Sequence, residues 1–187
     1  QPEVFGRARW LLQAKDYVAL RLTGEVATDY SDASGTNLFD LRARAWSGEI
    51  LRAIDLDPAL LPPARPSATV IGEVTAAAAE ETGLRPGTPV AIGGGDGACA
   101  TAGAGVVRPG DAYLYIGASS WIAYTSREPL YDPAQRTFTF AHLDPDYLFP
   151  TGTMQAAGAS FDWLERLYRG GAEGALYDEM EAQAAEA

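Results

Sequence analysis

Thr88-Pro89-Val90-Ala91-Ile92 runs directly into Gly93-Gly94-Gly95-Asp96-Gly97-Ala98, and this junction decides how the chain folds. The segment before the glycines is short, apolar and partly β-branched, the pattern of a strand buried on both faces. The residues after it, Ala98 through Ala104, are small and suit a helix that begins close against neighbouring backbone. Strand, glycine turn and helix in succession form one unit of an α/β fold, in which ligands gather at the carboxyl ends of strands. Asp96 stands at such an end, exposed for chemistry.

Working outward, Thr69 to Val74 reads as a strand, Thr75 as a helix cap, and Ala76 to Thr82 as a helix stopped by Gly83, a second strand-helix unit. Further upstream, the apolar spacing from Ala8 to Leu22 predicts a helix closed by Thr23-Gly24. Asp29 or Ser31 caps a short helix running toward Phe39, and Ser47 through Ile54 forms another before Pro58. Pro62, Pro63 and Pro66 mark an extended connection. Downstream of Arg108-Pro109-Gly110-Asp111 the texture changes to short strands at Ala112 to Ile116, Ile122 to Thr125, Thr137 to Ala141 and Tyr147 to Phe149. A domain boundary is placed near Val107. Ala159 to Tyr168 reads as a last helix, and the acidic tail after Gly174 continues as a helix or frays. No internal repeat is visible.

Across 187 residues, 47% hydrophobic, there is enough apolar material for a core and length for one domain or two small ones. Fourteen basic side chains against 25 acidic give a net charge of -11, which argues against a nucleic-acid groove or an anionic membrane as partner. The single Cys99, set among alanines, excludes internal disulfides and a cysteine-based zinc site; it fits a reducing cytoplasm and reads as a small core residue. No run approaches the ~20 apolar residues of a membrane span, and no signal peptide opens the chain. The expectation is a soluble, cytoplasmic protein. Gln1 leads almost at once into Arg9-Trp10-Leu11-Leu12, which reads as the middle of a fold and as part of a longer protein.

The glycine run fits Gly-x-Gly-x-x-Ala through Gly93, Gly95 and Ala98, but dinucleotide binding fares poorly. Asp96 would repel a pyrophosphate, and Asp111 precedes the next strand instead of ending it. No Gly-Lys-Ser/Thr ending supports a Walker loop. Two uses of Asp96 stand level: a helix cap, or a general base whose glycine surroundings admit a substrate hydroxyl to ~2.6–3.2 Å. Gly117-Ala118-Ser119-Ser120, after the tyrosine-rich strand, and Gly158-Ala159-Ser160, heading the last helix, offer backbone amides to phosphate oxygens. Each is also an ordinary turn or helix start. His142, the only histidine, reads as a loop or edge-strand residue, which leaves no zinc site of the usual kind. No serine lies in Gly-x-Ser-x-Gly. Trp10, Trp46, Trp121 and Trp163 read as core or edge packing.

Taken together, these segments resemble the FGGY carbohydrate kinase family, closest in texture to its xylulokinases. Lys15-Asp16-Tyr17 through Leu22-Thr23-Gly24-Glu25, Ala27-Thr28-Asp29 with Ser31, Ala33, Ser34 and Thr36, Gly94-Gly95-Asp96 with Gly103 and Gly105, Gly117-Ala118-Ser119, and Gly158-Ala159-Ser160 with Trp163 carry the likeness. The resemblance implies a partial, two-lobed ribonuclease-H-like fold of the actin and sugar-kinase ATPase type. Residues 1–107 would close the sugar-side lobe, and 108–187 would open the nucleotide-side lobe. It implies ATP-dependent phosphorylation of a sugar hydroxyl, with Asp96 as general base and Asp96 and Gly97 meeting the sugar. Gly117, Ala118, Ser119, Gly158 and Asp162 would lie along the ATP, and Mg would enter with the nucleotide and reach Asp96 through water.

The chain departs from the family pattern at two places. Gly97 stands where these kinases often carry Asn or Gln, a Gly-Asp-Gly form that also occurs in gluconate-type relatives, and Ala118 replaces a threonine. Xylulose is the first substrate implied, with gluconate or ribulose as alternatives. The competing reading is a non-catalytic binding or assembly module. The isolated chain is expected to be inactive, and an exposed face between lobes would favour a homodimer.

Overall fold

The computed structural model describes residues 2–169 and 176–186. After a short helix α1 (Pro2–Phe5), helix α2 spans Ala14–Thr23, later than the expected start at Ala8. The reason lies at its head: Asp16 reaches back to accept the Gln13 N–H at 3.2 Å, which fixes the first turn there, while Leu11 N–H is spent on the Leu60 carbonyl. Strand β1 (Thr28–Asp29) leads into α3 (Tyr30–Gly35), capped by the Asp29 carboxylate. That helix stops short of Phe39, which belongs to β2 (Phe39–Asp40) and pairs with Trp46 of β3 (Ala45–Trp46). Helix α4 (Gly48–Ala53) falls within the expected Ser47 to Ile54, with Ser47 as its cap, and β4 (Ala64–Arg65), within the proline-rich connection, pairs in parallel with β1.

Strand β5 (Val70–Glu73), helix α5 (Ala76–Thr82) and strand β6 (Pro89–Ala91) follow, with Thr75 capping and Gly83 closing the helix. Here the structure corrects the sequence reading. Among the described residues β6 pairs only with β5, antiparallel, and Pro89 and Ala91 are exposed, so the strand is not buried on both faces. Only Ile92, one residue past it, is buried, against Ala19 and Ala27. Helix α6 (Asp96–Gly103) comes next, and the Arg108–Asp111 turn leads to a four-stranded antiparallel sheet in the order β7-β8-β10-β9.

Its strands are β7 (Ala112–Ile116), β8 (Ser120–Tyr124), β9 (Thr137–Ala141) and β10 (Leu148–Met154). β10 runs beyond the expected Phe149 because Pro150 is not asked to donate toward β8, whose pairing begins at Thr151. Helices α7 (Gly158–Arg169) and α8 (Tyr177–Glu186) complete the described chain; the expectation for residues 170–175 falls outside it.

Period-two alternation gives the sheet two unlike faces. Tyr113, Trp121, Ala123, Phe149 and Phe140 pack toward α6, where Ala98 is fully enclosed. Leu114, Ile116 and Ile122 on the other face are exposed. α3 is tied to the sheet by the Ala141 N–H, which donates to Ser34 Oγ at 3.0 Å. His142, just past the edge strand β9, is buried and binds the Val106 carbonyl at 3.2 Å while its Nδ1 accepts the Asp144 N–H. Cys99 corrects another expectation: it is exposed, not a core residue, because it lies on the open side of α6. Trp163 is likewise exposed, whereas Trp10, Trp46 and Trp121 are partly buried. Among the described residues no helix is long and apolar enough to cross a membrane.

Candidate active site

Each of the three glycines before Asp96 has its own structural cause. Gly93 sits at φ +71°, a left-handed conformation that L side chains rarely adopt. A Cβ on Gly94 would collide with the Leu143 side chain, and one on Gly95 would lie 2.6 Å from Asp32 Oδ1. The glycines therefore let the turn press against α3 and Leu143; room for a substrate hydroxyl is not what requires them. Gly95 also takes the N-cap position, which makes Asp96 the first helical residue and removes the capping role considered for it. Among the described residues, the Asp96 carboxylate accepts one hydrogen bond, from the Gly97 N–H at 2.7 Å, and is otherwise exposed.

The turn is held from below by a buried polar cluster. Ser31 Oγ accepts the Gly95 N–H at 2.9 Å and donates to Asp29 Oδ2 at 2.5 Å. Ser67 Oγ donates to the same oxygen at 2.6 Å, and the Ser67 carbonyl accepts the Gly93 N–H at 3.0 Å. Asp29, with no exposed surface, is neutralised by Lys15, whose Nζ lies 3.0 Å from its Oδ1, 2.7 Å from Asp16 Oδ1 and 3.3 Å from Asp32 Oδ2.

Burial, the largest single influence on Asp29, pushes its carboxyl upward, but the Ser31 and Ser67 hydroxyls and Lys15 outweigh it and hold the group below the usual carboxylate range. Burial likewise pulls Lys15 down, and its carboxylate neighbours Asp16 and Asp29 more than compensate, holding it above the usual lysine range. Asp32 goes the other way: burial raises it, and Lys15 offsets this only in part because Asp29 and Asp16 repel its charge. Among the described residues no group of three metal-ligating side chains is disposed to hold an ion; Lys15 fills the centre of the aspartates.

Above the turn opens a cavity of about 410 Å³ between α3, α6 and the inner face of the sheet. Its polar lining is Ser31, Asp32, Asp96, Thr151 and Thr153; Tyr113, Trp121, Phe140 and Phe149 supply aromatic walls. Gly97 lines it too, with open space above it: a Cβ there would meet only the Phe149 ring, at 3.9 Å. Tyr113 OH accepts the Trp121 indole N–H at 2.6 Å, fixing both rings. Among the described residues two carboxylates and no cationic side chain face this space.

The second pair of expected site segments also comes together, but elsewhere. Gly117-Ala118-Ser119 is the β7–β8 turn, and its Gly117 and Ala118 carbonyls accept the N–H groups of Gly158 at 2.9 Å and Ala157 at 2.8 Å. Ala159 N–H also reaches the Ala118 carbonyl, at 3.2 Å. The amides heading α7 are thus engaged with protein carbonyls and are not free for phosphate, as the sequence had suggested. A Cβ on Gly158 would fall 2.6 Å from the Gly117 oxygen, which accounts for the glycine. Asp162, one turn on, accepts the Tyr177 hydroxyl at 2.8 Å. None of Gly117, Ala118, Ser119, Gly158 or Asp162 lines the cavity that holds Asp96.

The model of the FGGY family of carbohydrate kinases, N-terminal domain, matches residues 1–103. The chain belongs to that family. Among curated FGGY-type relatives, a xylulose kinase of Bacillus subtilis is 35% identical over 168 residues, covering 90% of this chain and 34% of that protein. An autoinducer-2 kinase of Yersinia enterocolitica is 36% identical over 162 residues, 86% of this chain and 29% of its own length. The crystal structure of xylulose kinase from Rhodospirillum rubrum superposes with a TM-score of 0.89 at 35% identity, covering all of this chain and 38% of that one. The chain therefore spans about a third of the length of these relatives, with part of the ribonuclease-H-like fold of actin and the sugar kinases.

In this FGGY chain the sequence pointed to the strand-to-helix turn that carries Asp96, but not to what holds that turn. Asp29 was visible only as a cap, and Ser67 not at all. Asp32 and the Tyr113–Trp121 pair were missed as cavity wall. A signal for the cluster existed in Lys15-Asp16, an opposite-charge pair just before the apolar side chains of the Val18 to Leu22 helix, since charges must pair if buried.

Proposed function

We propose that the full-length protein carrying this chain transfers the γ-phosphoryl group of ATP to a hydroxyl of a neutral sugar, with xylulose the first candidate. Asp96 is the general base. As the sugar oxygen bonds to the γ-phosphorus, the bond to the ADP oxygen breaks and the hydroxyl proton passes to the Asp96 carboxylate. The observation that carries this is the exposed Asp96 carboxylate in the wall of the 410 Å³ cavity, with one backbone N–H as its partner among the described residues. Magnesium bound with the nucleotide would supply neutralisation of phosphate charge, and Asp96, the exposed carboxylate of the cavity, is the side chain of this chain that would face it. Gly117, Ala118, Ser119, Gly158 and Asp162 lie along the nucleotide in this reading, residues 1–107 belong to the sugar-side lobe and 108–187 to the nucleotide-side lobe. By itself the chain would not turn over, since it spans only about a third of its relatives' length.

A neutral sugar is favoured over a sugar acid because Asp32 and Asp96 both face the cavity and, among the described residues, no Lys, Arg or His lines it. A substrate carboxylate there would meet like charge without compensation. The relatives named for xylulose and for autoinducer-2 supply the first substrates to test.

ADP release by the full-length protein should be measured with D-xylulose, D-ribulose, autoinducer-2, glycerol and gluconate. The expected result is turnover of a neutral substrate with kcat/KM at least about 10-fold above gluconate; the reverse order sinks the charge argument. Asp96→Asn should lower turnover by about 10²-fold or more. Because its side chain bonds only the adjacent Gly97 N–H, the thermal midpoint should stay near that of the wild type. Unchanged turnover would refute the role of Asp96.

A further inference from the structure

We infer that Asp29 is a positioning residue for the proposed general base: through the hydroxyls of Ser31 and Ser67 it sets where the turn carrying Asp96 sits. The inference rests on the reading of Asp96 as that base. A carboxylate serving only as the cap of α3 needs the N–H groups of Ser31 and Asp32, which Asp29 accepts at 2.9 and 3.2 Å. Asp29 has three further partners that capping does not require. Two are serine hydroxyls converging on a single oxygen at 2.5 and 2.6 Å, and the third is the Lys15 ammonium.

Both serines lead to the glycine turn. Ser31 Oγ accepts the Gly95 N–H at 2.9 Å, and the Ser67 carbonyl accepts the Gly93 N–H at 3.0 Å. The two gripped amides bracket Gly94, and Asp96 is the next residue after them. The turn has no side chains of its own with which to hold itself. Hydrogen bonds to an ionised carboxylate are short and roughly twice as strong as neutral ones, which makes the clamp stiff.

The charge that stiffens it is costly to bury alone, and Lys15 provides the compensation. Asp29 does not line the cavity, and neither does Ser67. Their influence on chemistry must therefore pass through the turn. A misplacement of about 1 Å in a reacting group can cost about 10²-fold in rate.

The test is steady-state kinetics of the full-length protein with its fastest sugar and saturating ATP, with thermal midpoints recorded for every variant. Ser67→Ala is the cleanest probe because Ser67 does not line the cavity that holds Asp96: kcat should fall about 5- to 10-fold while the sugar KM moves less than about 3-fold. Ser31→Ala, which also removes the acceptor for Gly95 N–H, should fall further, and Ser31→Thr, which keeps the hydroxyl, should recover most of the loss. Asp29→Asn should lose about 10²-fold; should it not fold, the serine variants decide.

Wild-type kcat in both serine-to-alanine variants, beside a large loss in Asp96→Asn, overturns the positioning role while leaving the base intact. A raised sugar KM at unchanged kcat overturns it too, since Ser31 would then be a sugar contact. If Asp96→Asn keeps full turnover, it is the base assignment that falls.

Discussion

The two glycine turns of this chain are held in opposite ways. Gly93-Gly94-Gly95 is gripped by side chains from distant segments, with Ser31 and Ser67 converging on Asp29 and Lys15 neutralising it. Gly117-Ala118 is gripped by backbone alone, its carbonyls accepting the amides at the head of α7. A side-chain clamp can be tuned residue by residue and keeps a charged group oriented. A backbone clamp depends only on close approach and tolerates change wherever no Cβ intrudes. The first turn presents a carboxylate to a cavity; the second fastens a helix to a sheet.

The sharpest way to break the contrast is to remove the charge under the first turn. Lys15→Met would leave Asp16, Asp29 and Asp32 without their shared cation and should lower stability by about 3–5 kcal/mol, as removing one partner of a buried pair does. The sign with pH follows from the shifts. Asp29 is depressed below its ordinary 3.8, so its contribution is present above that pH and is lost as pH falls through the lower native value. Lys15 is raised above 10.5, so its contribution holds below 10.5 and is lost as pH rises through the higher native value. The gap between wild type and Lys15→Met in urea midpoint should therefore be widest in the plateau between, and should narrow toward pH 3.8 as the stranded carboxylates protonate. A gap that does not change with pH would separate the lysine from the carboxylates it appears beside.

A matched pair of substitutions sharpens the comparison next. Gly95→Ala and Gly158→Ala each place a Cβ 2.6 Å from an oxygen, the first from the Asp32 side chain and the second from the Gly117 backbone. Each should cost about 1–3 kcal/mol of stability, the usual range for overpacking. A side chain can move where a backbone carbonyl cannot, so Gly158→Ala should cost the more. Activity should rank the other way, because Gly95 precedes Asp96 directly. Adding Asp32→Ala should return the stability lost in Gly95→Ala and do nothing for Gly158→Ala, as differential scanning calorimetry on the three single and two double variants would show.

That contrast also explains what the sequence could reveal. Local causes were legible: Asp29 and Thr75 as caps, Gly83 as a helix stop, the limits of β7 and β9, and Asp96 at a strand-to-helix turn. The clamp was not, because Ser31 lies 64 residues from Gly95 and Ser67 lies 38 from Asp29, and a serine carries no pattern that announces a distant partner. Cys99 and β6 were misread for a related reason. Apolar neighbours in sequence suggest burial, but burial depends on what covers the face, and among the described residues only β5 pairs with β6. At α7 the free amides suggested by its glycine start were already taken by the β7–β8 turn.

The smallest expected effect falls at Gly97, where the first turn opens onto the cavity. A Cβ there meets nothing nearer than the Phe149 ring at 3.9 Å, an ordinary contact, and no left-handed backbone demands glycine. Gly97→Asn should therefore fold with a midpoint change worth less than about 0.5 kcal/mol, the usual scale for changes that create no clash. Its amide would enter the space shared with Asp32 and Asp96 and offer donors where that wall now offers chiefly acceptors. Ratios of kcat/KM among neutral sugars should then shift, by about 10-fold for one added hydrogen bond, while the turn and its clamp stay as they are. A large stability loss would mean that the turn is tighter at Gly97 than at its clamped end; unaltered ratios would mean that the sugar does not pass over Gly97.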